Sequence, residues 1–279
     1  MMRNVPLSEH NNNEPINLFT FWEGNTPPAY IEMCIATWFK HLPNANLTVI
    51  NYENIHEWVD VYVNIAELKK FSFAMQSDVI SSVILAKYGG VFIDADTIVT
   101  GRNCLDFFSQ DDARLKAFGI PDRGEFHVAV LSAKRNNPAV LFWMDEACRR
   151  VNSGTREYAW NFLAGDILEK LTKNELYKDD FNIIDRTISG NILESKYKAN
   201  YKNFYFGDTD TEPGDVISRC KNDIISLHNS WTPKEYSTLN TVQDIFNQSN
   251  LLTKIFRYIL GSEYQLPKIS RLKPQETSN

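Results

Sequence analysis

The sequence predicts an α/β fold, with a mostly parallel central sheet flanked by helices and a helical C-terminal tail. Three observations predict it. Up to Thr100 the chain alternates strand-like and helix-like patterns, the rhythm of an open α/β sheet. A helical run from Phe71 stops at Gly89-Gly90 and is followed by Val91-Phe92-Ile93, short, apolar and β-rich like a strand buried on both faces. Asp94 and Asp96 come where that strand ends, and in open α/β sheets ligands gather outside the carboxyl ends of the strands.

In chain order, residues 1–14 are polar and expected to be disordered. Ile16–Trp22 is the first predicted strand, leading into Glu23-Gly24-Asn25 and then Thr26-Pro27-Pro28. Proline is tolerated at a helix start, where the amide lacks a partner anyway. Ile31, Cys34, Ile35, Trp38 and Phe39 recur at helical spacing until His41-Leu42-Pro43. Leu47–Ile50 is the second strand, and Tyr52–Tyr62 carries a short helix with Ile55, Trp58 and Val59 on one side. In the run from Phe71, the apolar Phe73, Ile80 and Ile84 share helical spacing, while Asp78, Ser81 and Ser82 cluster on another face. Gly89-Gly90 supplies the left-handed geometry that ends a helix.

Past the aspartates, Leu115–Gly119 and Phe126–Leu131 read as strands, and Asn137-Pro138 opens a helix carrying Val140, Leu141, Met144 and Ala147. Glu157–Leu171 is a further expected helix, and Ile224–Leu227 the last clear strand. Leu251, Leu252, Ile255, Phe256, Ile259 and Leu260 line one face of an amphipathic helix flanked by Lys254 and Arg257. Lys268, Arg271 and Lys273 follow in a polar, flexible end. The expected organisation is one domain over 15–245, with 246–279 as helix and tail. That helix reads either as core packing or as a peripheral contact with an anionic inner-membrane surface.

Composition narrows the function classes. The chain has 279 residues, 43% hydrophobic and 23% charged, enough for one large α/β core. A net charge of -6 argues against nucleic acid as a partner, which would need a basic field. The 4 cysteines (Cys34, Cys104, Cys148, Cys220) have no metal-site spacing and read as isolated buried thiols in a reducing compartment. The N-terminus has no apolar signal-like region, and no run is long enough to span a membrane, so a cytoplasmic location is expected. Neither a G-x-G-x-x-G nor a G-x-x-x-x-G-K-[ST] pattern occurs, which leaves a dinucleotide fold and a P-loop unsupported.

Asp-x-Asp by itself is common in solvated turns. Behind a helix, a Gly-Gly stop and a buried strand it becomes a candidate for holding a divalent cation through hard oxygen ligands. The block Ser77-Asp78, a helical run, then Tyr88-Gly89-Gly90-Val91-Phe92-Ile93-Asp94-Ala95-Asp96 resembles the central block of the DXD-containing sugar transferases. These are the glycosyltransferase family 32 and capsular-polysaccharide-synthesis group, where it reads roughly S-D-x-x-R, then Y-G-G-x-Y-x-D-x-D. The chain matches the Ser-Asp, the Tyr-Gly-Gly and both aspartates, and departs at the arginine, replaced by Ser81. The closing His228-Asn229-Ser230-Trp231 is similar to the H-x-x-x-W or H-x-S-W segment of the same group, so the resemblance spans about residues 16–232.

The resemblance implies a GT-A-like nucleotide-sugar transferase that uses Mn²⁺ or Mg²⁺ and retains anomeric configuration. It implies a UDP-sugar donor and a saccharide or lipid-linked saccharide acceptor in capsule or lipopolysaccharide synthesis. Asp94, Asp96 and His228 would hold the metal, and Asp78 would hold donor hydroxyls as a third acidic member of the catalytic set. Trp22, Ser81, Ser230 and Trp231 would complete the nucleotide-sugar site with Asp78 and Asp94, Trp22 by stacking on the base and Trp231 by meeting the diphosphate. Each has a plainer reading: Trp22 as a rim tryptophan, the closing segment as a capped strand end. His127, alone in an apolar strand, reads as a core residue, and Asp166 as an exposed helix carboxylate. The rival classes are a metal-dependent phosphohydrolase and a non-catalytic sugar-binding protein on a transferase scaffold, the latter favoured by the missing arginine.

Overall fold

The computed structural model describes residues 15–24, 27–109, 112–154, 159–185 and 201–265. The expected disorder of 1–14 and the basic end around Lys268, Arg271 and Lys273 lie outside those residues. The elements in order are β1 (Asn17–Phe21), α1 (Ala29–His41), β2 (Asn46–Ile50), α2 (Ile55–Trp58), α3 (Ile65–Leu68), α4 (Phe73–Lys87), β3 (Gly90–Ile93) and β4 (Thr97–Val99). Then come α5 (Cys104–Phe108), β5 (Leu115–Ile120), β6 (Glu125–Ala133), α6 (Pro138–Asn152), α7 (Gly165–Thr172), β7 (Phe181–Asp185) and α8 (Tyr201–Phe206). The chain continues through α9 (Pro213–Ile217), β8 (Ile224–Ser226), α10 (Val242–Phe246) and α11 (Leu251–Leu260).

The central sheet has six strands in the order β2-β1-β3-β6-β5-β7. Pairing is parallel at β1–β2, β1–β3 and β5–β7. It is antiparallel at both neighbours of β6, so the sheet is mixed where a mostly parallel one was expected. The reason is local: Pro121–Arg123 and Gly124, at φ 65°, fold β5 straight back into β6 as a hairpin, with no crossover helix between them. A second sheet pairs β4 with β8, which the sequence did not announce.

Side chains alternate across the sheet. Leu18 and Val91 enter one buried cluster with α1, α8, α10 and α11, while Phe19 and Phe92 enter the other with α4, α6 and α7. α11 has the apolar face its spacing predicts. Leu251, Leu252, Ile255 and Phe256 are each 0% exposed, each contributing about 1.5–3 kcal/mol of burial. That face is therefore taken up by the core, and an inner-membrane contact through this helix would have to use its other surface.

Three local expectations change. Tyr52–Tyr62 forms only the short α2 followed by turns, with α3 beyond it. Of the helix expected over Glu157–Leu171, residues 157–158 lie outside the described residues and the rest is helical only from Gly165, where Asp166 takes the position of an ion-pair hub: it bonds Arg150 of α6 at 2.7 Å and Lys170 at 2.8 Å. Of the polar cluster expected on α4, only Asp78 stays half-exposed. Ser81 and Ser82 are as buried as Val79, Ile80 and Ile84, whereas Phe73 is 61% exposed. This helix packs between α6 and the sheet, so its serines lie within the core. The four cysteines are buried and free, as expected.

Candidate active site

The acidic pair owes its position to a stop and a turn. Gly89 and Gly90 take φ of 68° and 98°, and a Cβ on Gly89 would lie 2.6 Å from the backbone nitrogen of Arg135. The chain therefore leaves α4 and enters β3 without a spacer. At the far end of β3, the Asp94 N–H donates to the Ala129 carbonyl of β6 at 2.7 Å, and the Thr97 N–H donates to the Asp94 carbonyl at 3.0 Å. Asp94 and Asp96 thus occupy a turn, with Ala95 between them buried, and do not continue the strand. β4 leaves this turn anchored to α1. The Trp38 indole N–H donates to the Thr97 carbonyl at 2.6 Å, and the Val99 N–H to the Thr37 hydroxyl at 2.9 Å.

β4 then does what the sequence could not foretell: by pairing with β8 it delivers the closing segment to the second aspartate. The Leu227 N–H donates to the Asp96 carbonyl at 3.2 Å, and the Asn229 N–H to Asp96 Oδ2 at 2.6 Å. The next residues form a 3-10 turn over Asn229–Trp231, with Ser230 and Trp231 exposed. The His228 ring lies 4.6 Å from Trp231, tilted by 31°, and stands 5.7 Å from the His127 ring. His127, read from sequence as a core residue, is half-buried at the site.

α4 supplies the third acid. Ser72 caps the helix, its Oγ accepting from the Met75 N–H, and the first turns face the acidic pair. The Ser77 hydroxyl donates to Asp94 Oδ1 at 3.3 Å, and Asp78 is half-buried next to it. Ser81 is 1% exposed, and its hydroxyl donates to the Asp78 carbonyl one turn back at 2.9 Å. Trp22 is half-buried after β1, its N–H bonded to the Ile50 carbonyl at 3.0 Å, and it packs on the core. Because β1 runs parallel to β3, Trp22 and the Asp94 turn leave the same end of the sheet. The Tyr52 N–H donates to Glu23 Oε2 at 2.7 Å and ties down the loop after Trp22.

The electrostatics are those of crowded acids. Burial pushes the Asp78 carboxyl up to about 7. Burial, and then the charges of Asp96 and Asp78, push Asp94 well above the carboxylate range, and burial raises Asp96 too. None of the three pairs with a lysine or arginine among the described residues. Nor do three His, Cys, Asp or Glu side chains among those residues already stand as a metal-holding group. The donor chemistry nevertheless fits a hard divalent cation: carboxylates in surplus, raised by burial, with no lysine or arginine paired to them among the described residues.

Sequence reasoning missed Tyr30 and Tyr201. The Tyr30 hydroxyl donates to Asn229 Oδ1, and the Tyr201 hydroxyl accepts from the His228 N–H at 3.0 Å. No motif marks either tyrosine, since their roles come from partners far along the chain.

The model of the family described as capsular polysaccharide synthesis protein matches residues 3–211. No curated protein matches the sequence. Among solved structures the chain is similar to the PaToxG glycosyltransferase at 12% identity, covering 88% of this chain and 87% of that one, with a TM-score of 0.44. It is similar to the glycosyltransferase GlyE of Streptococcus pneumoniae TIGR4 at 14% identity, covering 81% of this chain and 60% of that one, with a TM-score of 0.45. An active-site mutant of LgtC matches at 12% identity over 80% of this chain and 95% of that one, with a TM-score of 0.43.

Proposed function

The chain belongs to the capsular polysaccharide synthesis protein family, and from that membership we propose that it is a GT-A-like glycosyltransferase. The donor is a nucleotide diphosphate sugar, of the UDP-sugar class, and the acceptor a saccharide or lipid-linked saccharide of a bacterial surface polysaccharide. The setting is the cytoplasmic side of the inner membrane. One observation carries the reading: the Asn229 N–H to Asp96 bond at 2.6 Å, which joins a histidine-and-tryptophan segment to the acidic pair at the carboxyl end of the sheet.

Glycosyl transfer develops oxocarbenium character at the sugar and negative charge on the departing diphosphate. A divalent cation, Mn²⁺ or Mg²⁺, would neutralise that charge as a Lewis acid when bound. Asp94, Asp96 and His228 are the residues that would hold it. Asp78 accepts hydrogen bonds from donor hydroxyls and orients the sugar. The Trp231 indole N–H and the Ser230 hydroxyl, both exposed at the segment's tip, donate to diphosphate oxygens. Trp22 offers a flat face to the base. Ser81, bonded to the Asp78 carbonyl, stands where the resembled families carry a cation, so the donor sugar is one that needs no arginine there.

The test is a panel of nucleotide sugars assayed by thermal shift with and without Mn²⁺, followed by donor hydrolysis. A UDP-sugar that raises Tm only with the metal, and is hydrolysed, supports transfer. Hydrolysis of simple phosphate esters alone would make the protein a phosphohydrolase. Binding without turnover would make it a sugar-binding protein on a transferase scaffold.

A further inference from the structure

We propose that Tyr30 and Tyr201 are positioning residues that clamp the segment His228–Trp231 onto Asp96, and through it set the affinity for the donor's diphosphate. The second half of this statement rests on the sugar-transfer reading; the clamp itself does not.

The segment needs a clamp. β8 ends at Ser226, and beyond it Asn229–Trp231 form a single 3-10 turn whose tip is exposed. A short turn of this kind has little burial to hold it, and a site group displaced by about 1 Å loses much of its effect. One bond ties the turn to the site, from the Asn229 N–H to Asp96 Oδ2 at 2.6 Å. Two more come from tyrosines remote in sequence: the Tyr30 hydroxyl donates to the side-chain oxygen of that same Asn229, and Tyr201 accepts from the His228 N–H at 3.0 Å.

Both tyrosines are built to hold still. They are 1% and 3% exposed and belong to the same buried cluster, Tyr30 on α1 and Tyr201 at the start of α8. The Tyr30 ring meets Tyr236 edge-on at 6.3 Å, and the Tyr201 ring meets Tyr205 at 5.4 Å and Phe206 at 5.6 Å. The core therefore fixes the rings; the Tyr201 ring also meets His228 at 5.8 Å and Trp231 at 5.9 Å, contacts that Tyr201→Phe keeps while removing the hydroxyl. Burial raises both phenols above their ordinary range. A buried hydroxyl stripped of its partner is costly, which keeps each bond closed.

Tyr30→Phe and Tyr201→Phe remove one oxygen each and keep the rings. Tyr205→Phe is the control, because its buried hydroxyl has no partner among the described residues while its ring stands beside Tyr201. The readouts are amide hydrogen exchange over residues 227–232, UDP affinity with Mn²⁺ by calorimetry, and Tm. Each clamp variant should keep Tm within about 4 °C of wild type, speed exchange over that segment about tenfold, and weaken UDP binding by about three- to tenfold. The control should change none of these. Unchanged exchange in both clamp variants, or equal acceleration in the control, overturns the clamp. If exchange responds as stated but the wild type binds no nucleotide, the clamp stands and the sugar-transfer reading falls.

Discussion

The backbone N–H of Asn229 donates to Oδ2 of Asp96 at 2.6 Å, across 133 positions of sequence. This bond joins the two motifs, because it ties the closing segment to the second aspartate. It also separates the two jobs of the carboxylate, holding the closing segment and carrying charge, and the two can be tested apart.

Asp96→Asn keeps an acceptor oxygen for the Asn229 N–H but removes the charge. Donor turnover should fall by about a hundredfold or more, with Tm close to wild type. Asp96→Ala should add a Tm loss, since a buried donor is then left without its partner. Asparagine retaining most of the turnover would remove Asp96 from the catalytic set.

Turnover should require Mn²⁺ or Mg²⁺, with Mn²⁺ preferred because an imidazole joins the carboxylates. Full activity in excess EDTA would rule out Asp94, Asp96 and His228 as metal ligands. In isothermal titration, His228→Ala should weaken Mn²⁺ binding more than Mg²⁺ binding, because Mg²⁺ prefers oxygen.

Trp22 is half-buried against the core, so substitution has two effects that must be measured separately. Trp22→Ala should weaken UDP binding by about 1–3 kcal/mol, the worth of a base–aromatic stack, and Trp22→Phe should recover part of it. A loss of Tm without a loss of UDP affinity would identify a core tryptophan and move the base elsewhere.

At 1% exposed, Ser81 leaves little room for a longer side chain. Ser81→Arg should lower Tm through overpacking worth about 1–3 kcal/mol, and lower turnover with the native donor. If the variant instead gained activity across UDP-hexoses at unchanged Tm, the native pocket would be a degraded family site. A non-catalytic role would then become the better reading.

Glu146 on α6 makes the stability of the fold depend on pH. Arg149, then Arg150, hold Glu146 down from an ordinary 4.5 to about 2. A depressed carboxylate stabilises the fold above its unfolded pKa, and that stabilisation disappears as pH falls through the folded one. Glu146→Gln should therefore lower Tm by a few degrees near neutrality, and calorimetry should show the gap closing between pH 4.5 and about 2. A gap that persists in strong acid would mean that Glu146 acts by packing.

The sequence by itself determined the helix, the Gly-Gly stop, the buried strand and the acidic pair. Each depends on neighbours within a few residues: the positive φ of Gly89 and Gly90, the β-rich Val91–Ile93, the Ser72 cap. It likewise determined the apolar face of α11 and the burial of the cysteines, since hydrophobic spacing reports what must leave water. Tertiary structure alone decided the burial of Ser81 and Ser82, the exposure of Phe73, and the arrival of His127 beside His228. It also decided the pairing of Thr97–Val99 with Ile224–Ser226, and so the meeting of Asp96 with Asn229 under the hydroxyl of Tyr30. Periodicity shows which residues share a face but not how many elements will cover it. A hydrogen bond across 133 positions forms only after the core has chosen which surfaces to bury.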